Sequence, residues 1–248
     1  MNPFQVVFLS ALIGTLSMAA LAALLGERMP PPQALAWAGL AGVCGSAGLA
    51  ALYRGLAVGN AAVVSPIAAV VGAAFPVILA ALTAGLPKTT QLIGFGCALP
   101  GIALVSTAPS AGGKPSRGLL LGLAAGVCFG LFFIALANAR SQALFIPLAA
   151  VKLASLLAIG AILVWGRKGF RAAGGSRLVL LAGLLDALGN ALYYIGIRLT
   201  RIDIAAVLVS LYPAGTVILF RLILKEPIAS LQWVGVGLCL AAIALITL

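Results

Sequence analysis

The sequence contains no histidine, and only four of its 248 residues are acidic. Histidine is the commonest metal ligand and a frequent general base. No two carboxylates are close together, and no glycine-rich phosphate loop follows a strand. The four cysteines lie inside apolar runs without a CxxC spacing, which is typical of packing residues: Cys44, Cys97, Cys128 and Cys239. We therefore expect no enzymatic activity, no metal and no cofactor, although a lysine-plus-aspartate enzyme within a membrane stays open.

Charged residues are scarce, at 8% of the chain against 63% hydrophobic residues. A soluble domain carries about 25% charged residues. So few charges cannot cover a globule of this size with a solvated surface, and lipid is the alternative solvent. No signal-peptide pattern precedes the first apolar run.

The charges that are present are mostly positive, with 15 Lys+Arg against 4 Asp+Glu. In a soluble protein this excess would suggest a nucleic-acid partner. Here the basic residues fall in short loops between apolar runs, where they suit contacts with lipid phosphates. We therefore expect membrane lipid as a partner and no nucleic acid.

The apolar residues form nine runs, each close to the roughly 20 helical residues that span a hydrocarbon core about 30 Å thick. Helices are favoured because an open sheet edge is not satisfied in lipid, and barrel strands would alternate apolar and polar residues. We letter the runs a to i: Gln5–Leu25, Ala34–Ala57, Ala61–Ala84, Thr90–Thr107, Gly118–Ala137, Leu144–Trp165, Leu178–Ile197, Ile204–Leu222 and Leu231–Leu248.

The two halves of the sequence match each other when they are shifted by 141 residues. The most persuasive matches join Tyr53 to Tyr194, Gln91 to Gln232, and Gly94 to Gly235. The shift aligns runs a, b, c and d with runs f, g, h and i, whereas run e has no counterpart. The repeat unit is therefore five helices, and the first copy lacks its first helix. Copies with an odd number of spans insert in opposite directions, as in secondary transporters.

We therefore expect an all-α integral membrane protein with about nine transmembrane helices in two inverted repeats. The repeat with four helices covers residues 1–108, and the repeat with five helices covers residues 118–248.

The sequence resembles the EamA-type branch of the drug/metabolite transporter superfamily. The resemblance lies in the two copies of a five-helix unit and in the stretches Gly196–Pro213 and Leu224–Ile228. The first copy shows a similar pattern at Gly55–Pro66 and Gly85–Lys88, without the acidic residue that is usual in this family. The resemblance implies a ten-helix exporter of small metabolites or amino acids with a central cavity. The chain departs from it by lacking the first helix, so either the true start lies upstream or this is a nine-helix variant.

The loop charges leave the membrane orientation open. Nine basic residues fall on one side of the predicted spans and five on the other. The positive-inside rule then places the amino terminus in the cytoplasm, whereas the usual topology of the resembled family implies the reverse.

Two charged residues, Lys152 and Asp186, lie near the middle of consecutive runs, where an ionised group costs roughly 3 kcal/mol. The antiparallel runs bring them to depths about 5 Å apart, within reach of a lysine side chain. Asn190 and Tyr193 follow Asp186 on the same helix stripe. We predict a substrate or proton site at Lys152, Asp186, Asn190 and Tyr193, with a buried structural pair as the alternative.

The sequence thus predicts a secondary transporter, and in particular an exporter, that moves a small metabolite, amino acid or drug-like solute by alternating access. The alternative is a non-transporting membrane scaffold or a subunit of a membrane complex. We expect a multi-pass protein of a bacterial inner (plasma) membrane. Proton coupling and the choice between monomer and homodimer stay open.

Overall fold

The computed structural model describes residues 3–58, 61–105, 115–165, 177–219, 222 and 229–247. Regular secondary structure in these ranges is helical, and no strand occurs in them. The described ranges form ten α-helices: α1 Pro3–Leu24, α2 Pro32–Val58, α3 Ala61–Ala84, α4 Thr89–Val105, α5 Pro115–Asn138, α6 Phe145–Trp165, α7 Arg177–Leu199, α8 Ile202–Ser210, α9 Tyr212–Leu219 and α10 Ser230–Thr247. The predicted all-α fold class is confirmed.

These helices match the nine predicted membrane runs. In the described part of the chain, six of them are long and apolar enough to cross a membrane, namely α1, α2, α3, α5, α6 and α7. Helices α4 and α10 are equally apolar but shorter. Many leucines on these helices are exposed, such as Leu82 at 80%. In lipid such exposure carries no penalty, because lipid tails are as apolar as leucine.

The described residues of the run Ile204–Leu222 form two helices, because the helix is interrupted at Leu211. The Leu211 N–H bonds the carbonyl of Leu208, and the Ala214 N–H bonds the carbonyl of Leu211, so the helix tightens to three-residue turns here. Pro213 has no N–H for the carbonyl four residues earlier, and its ring disfavours a continuous helix through this point. Counting α8 and α9 as one broken span gives nine spans in the ranges that the structure describes, as predicted.

The internal repeat is visible in the contacts between α4 and α10. A Cβ atom added to Gly94 would lie 2.7 Å from Ile246 Cγ1, and one added to Gly235 would lie 2.6 Å from the backbone nitrogen of Val105. Gly94 and Gly235 are matched by the 141-residue shift, and so are Val105 and Ile246. The two contacts are therefore the same contact with the copies exchanged, as a two-fold rotation between the repeats requires.

The direction of the helices shows that the copies are inverted. Gly94 near the start of α4 approaches Ile246 near the end of α10, whereas Gly101 further along α4 approaches Cys239 earlier in α10. The residue numbers rise along one helix as they fall along the other, so these equivalent helices are antiparallel. Equivalent helices run antiparallel only when the rotation axis is perpendicular to them. The inverted-repeat prediction is confirmed for this pair.

The matched glutamines make the same contact at the starts of α4 and α10. The Gln91 carboxamide oxygen accepts the Lys88 N–H at 3.1 Å, and the Gln232 oxygen accepts the Ala229 N–H at 3.0 Å. This is the glutamine half of a capping box, in which the third helical residue satisfies the backbone donor of the N-cap residue. The glutamine match therefore marks a repeated helix start.

The chain divides into two compact units, residues Met1–Ala50 with Leu131–Leu199 and residues Ala51–Gly130 with Thr200–Leu248. Each unit combines segments of both repeats. In the first unit α1 packs against α6 and α7, and in the second α3 packs against α8 and α4 against α10. The repeat boundaries at residues 108 and 118 stay a prediction.

Glycines allow α5 to approach α3 closely in the second unit. A Cβ added to Gly126 would lie 2.6 Å from Val71 Cβ, and one added to Gly130 would lie 2.6 Å from Phe75 Cβ. Their four-residue spacing predicts close helix packing, because small residues let backbones approach in a membrane. The amino-terminal part of α5 therefore packs on a helix of the first repeat.

Replacing Gly235 with alanine is expected to destabilise the second unit, because the new methyl group would meet the α4 backbone at Val105 and at the Gly101 carbonyl, 2.9 Å away. Overpacking of this kind typically costs about 1–3 kcal/mol. The melting temperature of the purified protein in detergent measures the loss. Gly237→Ala on the same helix is the matched control, because nothing lies within 4 Å of its added Cβ. Equal melting temperatures for the two variants would contradict the packing.

Candidate polar site on helices α1, α6 and α7

The exposed side of helix α7 changes in composition around the helix. Successive residues turn by about 100°, so residues three or four apart share a face. One face carries exposed leucines: Leu181, Leu184, Leu185, Leu188 and Leu192. Asp186 is exposed and lies about 140° from the centre of this face, the exposed Gly189 lies between Asp186 and the leucines, and the half-buried Asn190 lies on the opposite side. The leucine face suits lipid, whereas the face with Asp186 suits water or a polar solute.

Lys152 on α6 and Asp186 on α7 form an ion pair with 2.5 Å between Nζ and Oδ2. The lysine side chain is only 6% exposed, whereas the aspartate side chain is 44% exposed. A lysine in a membrane helix is stabilised by a partner of opposite charge, since an unpaired ionised group there is costly. The structure therefore joins the two residues that the sequence singles out for their depth.

Helix α1 completes the surroundings of this pair. The Ser10 hydroxyl donates a hydrogen bond of 3.3 Å to the same carboxylate oxygen, Asp186 Oδ2. One turn further along α1, Gly14 leaves room for the lysine stem, because an added Cβ would lie 3.1 Å from Cγ and Cδ of Lys152. Sequence reasoning missed both residues, since a serine and a glycine in an apolar helix carry no distinctive signal.

The other two predicted residues have different surroundings. Asn190 is half-buried one turn after Asp186. Tyr193 is 3% exposed, and its hydroxyl donates to the Phe133 carbonyl on α5 at 3.1 Å. Its ring centroid also lies 4.9 Å from that of Phe133. The Tyr193 hydroxyl thus links α7 to α5, and its role in a site stays a prediction.

The ion pair has no charged counterpart in the first repeat. The positions 141 residues before Lys152 and Asp186 are Ala11 and Gly45. A Cβ on Gly45 would lie 3.0 Å from the Phe132 ring, so that space is filled by an aromatic side chain. The two repeats share a backbone arrangement, but this polar centre occurs in the second copy only.

The other acidic residues in the described ranges have structural roles. Both carboxylate oxygens of Glu27 accept backbone N–H groups at the start of α6, from Leu144 to Ile146, at 2.7–3.0 Å. They satisfy donors that a helix start leaves open and complement the helix dipole. The fully buried Asp203 pairs with Arg201 at 3.0 Å. Of the three described acids, Asp186 alone combines an ion pair with an exposed carboxylate.

The family comparison accounts for almost the whole chain. The model of the EamA-like transporter family matches residues 1–107 and again residues 116–248. The chain belongs to the EamA-like transporter family. Its two matched segments correspond to the two repeats that the glycine contacts relate. This EamA-like transporter is therefore a multi-pass integral membrane protein with a small-molecule substrate and a lipid environment.

A solved structure described only as "Crystal structure of protein" shares the fold of this EamA-like transporter. It has a TM-score of 0.78 and 19% sequence identity, and the match covers 100% of this chain and 88% of that chain. At this identity the likeness concerns the fold alone. No protein with a curated description matches the sequence significantly.

Replacing Ser10 of this EamA-like transporter with alanine is expected to lower the stability by about 0.5–1.5 kcal/mol, the usual net value of a hydrogen bond. Ser17→Ala on the same helix is the matched control, because that hydroxyl bonds the Gly14 carbonyl of its own helix at 3.1 Å. Melting temperatures should be compared in the wild type and in the Lys152→Met/Asp186→Asn variant. If Ser10→Ala lowers the melting temperature by the same amount in the neutral variant, the hydrogen bond to the Asp186 carboxylate does not contribute to stability.

Proposed function

We propose that this protein is a secondary transporter that exports a small metabolite, amino acid or drug-like solute across a bacterial plasma membrane. The solute passes the polar face of α7, and the Lys152–Asp186 pair forms the polar centre of its path. Alternating access arises from the two inverted repeats, since inverted copies offer two related conformations that open to opposite sides.

The exposed carboxylate of Asp186 is the observation that carries this proposal. An ionisable residue at mid-span is expensive and commonly marks a substrate or ion pathway. A purely structural pair has no need for an outward-facing partner, yet the aspartate is 44% exposed beside an exposed Gly189. Because the leucines of α7 occupy another face, the carboxylate does not need to lie in lipid.

The pair also suggests how a transport cycle can be coupled. Lys152 neutralises Asp186 when the site is empty, so the empty carrier can change conformation without an unpaired charge. We further propose that a proton is exchanged for the solute during the cycle. In proteoliposomes, such exchange would acidify or alkalise the lumen in step with solute movement, and an ionophore that abolishes the pH gradient would stop uphill transport.

An efflux screen tests the proposed function directly. Cells that overproduce the wild type are loaded with a mixture of isotope-labelled amino acids and metabolites, and the medium is analysed by mass spectrometry. Cells that produce the Lys152→Met/Asp186→Asn variant to the same membrane level are the control. We expect at least one solute to leave faster with the wild type. If no solute differs although both proteins are folded, the protein is a scaffold or a subunit of a complex.

A further inference from the structure

The two side chains of the Lys152–Asp186 pair differ in their exposure. Its positive end is buried, at 6% side-chain exposure, and its negative end is exposed, at 44%. The lysine stem is further enclosed by α1, since an added Cβ on Gly14 would lie within 3.1–3.3 Å of three of its carbons. A solute that reaches this site therefore meets the carboxylate first.

The two oxygens of the carboxylate differ in their partners. Oδ2 accepts both the Lys152 ammonium and the Ser10 hydroxyl, at 2.5 Å and 3.3 Å. Among the residues that the structure describes, none donates a hydrogen bond to Oδ1. A carboxylate can accept about four hydrogen bonds over its two oxygens. The exposed Asp186 thus retains an acceptor for a donor group from outside the protein.

There is also room beside this acceptor. Gly189 follows Asp186 by three residues, so the two lie on neighbouring positions of the α7 surface. Nothing lies within 4 Å of a Cβ added to Gly189. The body of a solute can therefore lie along α7 at Gly189 while its donor group reaches Asp186.

We infer that the transported solute carries an ammonium group that binds Oδ1 of Asp186; this inference rests on the proposed transport function. A cation at Oδ1 is nearer to the carboxylate than to the Lys152 ammonium behind it. Because Coulomb energy falls with distance, the attraction exceeds the repulsion. An anion would need the enclosed ammonium of Lys152 and would face the carboxylate. The substrate class is therefore amines, including amino acids bound through their amino group.

Matched probes test this substrate class. Phenethylamine, 2-phenylethanol and phenylacetate share a ring and a two-carbon arm, and they are positive, neutral and negative at pH 7. Binding of each radiolabelled probe to the purified protein in detergent is measured by equilibrium dialysis. A hydrogen bond to a charged group is worth about 1.5–3 kcal/mol, which corresponds to roughly 10- to 100-fold in affinity. We expect the wild type to bind the amine at least about tenfold more tightly than the alcohol.

The Lys152→Met/Asp186→Asn variant is the deciding comparison, because it is uncharged at this site and similar in shape. We expect it to elute as a single species and to bind amine and alcohol equally. An amine preference that persists in this variant would overturn the inference, since the carboxylate would not be its cause. Tighter binding of phenylacetate or the alcohol by the wild type would overturn it too, and so would failure to bind any probe.

The inference about the substrate class and the proposal of transport would be contradicted by different measurements. If the efflux screen finds a solute without an amino group, the protein is a transporter and the inference about amines is wrong. If the amine binds as expected but no labelled amine crosses a proteoliposome membrane, the site is a binding site and the transport function is wrong.

Discussion

Asp186→Asn alone is expected to reduce the yield of folded protein sharply, and Lys152→Met alone is expected to reduce it less. The first change leaves the ammonium of Lys152 buried and unpaired, and loss of one partner of a buried pair costs about 3–5 kcal/mol. The second change leaves Asp186 without its partner, but this side chain is 44% exposed and can be hydrated. The yield of monodisperse protein and its melting temperature measure both losses, and transport should be lost in both variants.

The double variant Lys152→Met/Asp186→Asn separates a functional pair from a structural one. A neutral pair has no uncompensated charge, so the variant should insert and recover most of the melting temperature. We expect it nevertheless to transport nothing, since the carboxylate that would bind the solute is absent. If a well-folded double variant transports at the wild-type rate, the pair only stabilises the packing of α6 on α7.

The depth argument from the sequence placed Lys152 and Asp186 within reach of each other, and the structure joins them at 2.5 Å. This succeeded because two consecutive spans are antiparallel neighbours and an ionised group in a span needs a partner. The repeat was predictable for a related reason. Gln91 and Gln232 match in the sequence because both satisfy the backbone donor at a helix start.

The remaining parts of the site depend on contacts between distant segments. Ser10 contributes only because α1 packs against both α6 and α7, and no pattern within α1 predicts this neighbourhood. Tyr193 shows the opposite case. Helical spacing places it on the stripe of Asp186, but its long side chain reaches the Phe133 carbonyl on α5. Spacing along a helix predicts the face of a residue, and it does not predict where a large side chain ends.

The break at Leu211 could not be located from the apolar run either. The run Ile204–Leu222 stays mostly apolar on both sides of Leu211, and hydropathy does not respond to a helix interruption. Proline can bend or break a helix, yet several other spans also contain proline and continue, such as α4 at Pro100. Whether a proline kinks or breaks a helix depends on the neighbours that can satisfy the released carbonyl group.

Gly42→Ala is expected to be the most harmful of the glycine substitutions in the first unit, for both stability and transport. An added Cβ would lie 2.2 Å from the Val151 carbonyl oxygen and 2.8 Å from Ala154 Cβ on α6. A carbon–oxygen contact normally needs about 3.3 Å, so α2 and α6 must move apart by roughly 1 Å. The same separation would strain the Ser155 hydroxyl bond to the Gly42 carbonyl, which is 2.9 Å long. Overpacking typically costs about 1–3 kcal/mol, and a backbone obstacle favours the upper end.

The effect on transport follows from the position of Val151, which directly precedes Lys152. A shift of α6 at Val151 moves the lysine away from Asp186 and from the space left by Gly14. The melting temperature and the efflux rate measure the two effects. Gly39→Ala, also on α2, is the matched control, because nothing lies within 4 Å of its added Cβ. We expect this control to match the wild type in both measurements. If Gly42→Ala lowers the melting temperature but leaves the efflux rate unchanged, the position of Lys152 is not important for transport.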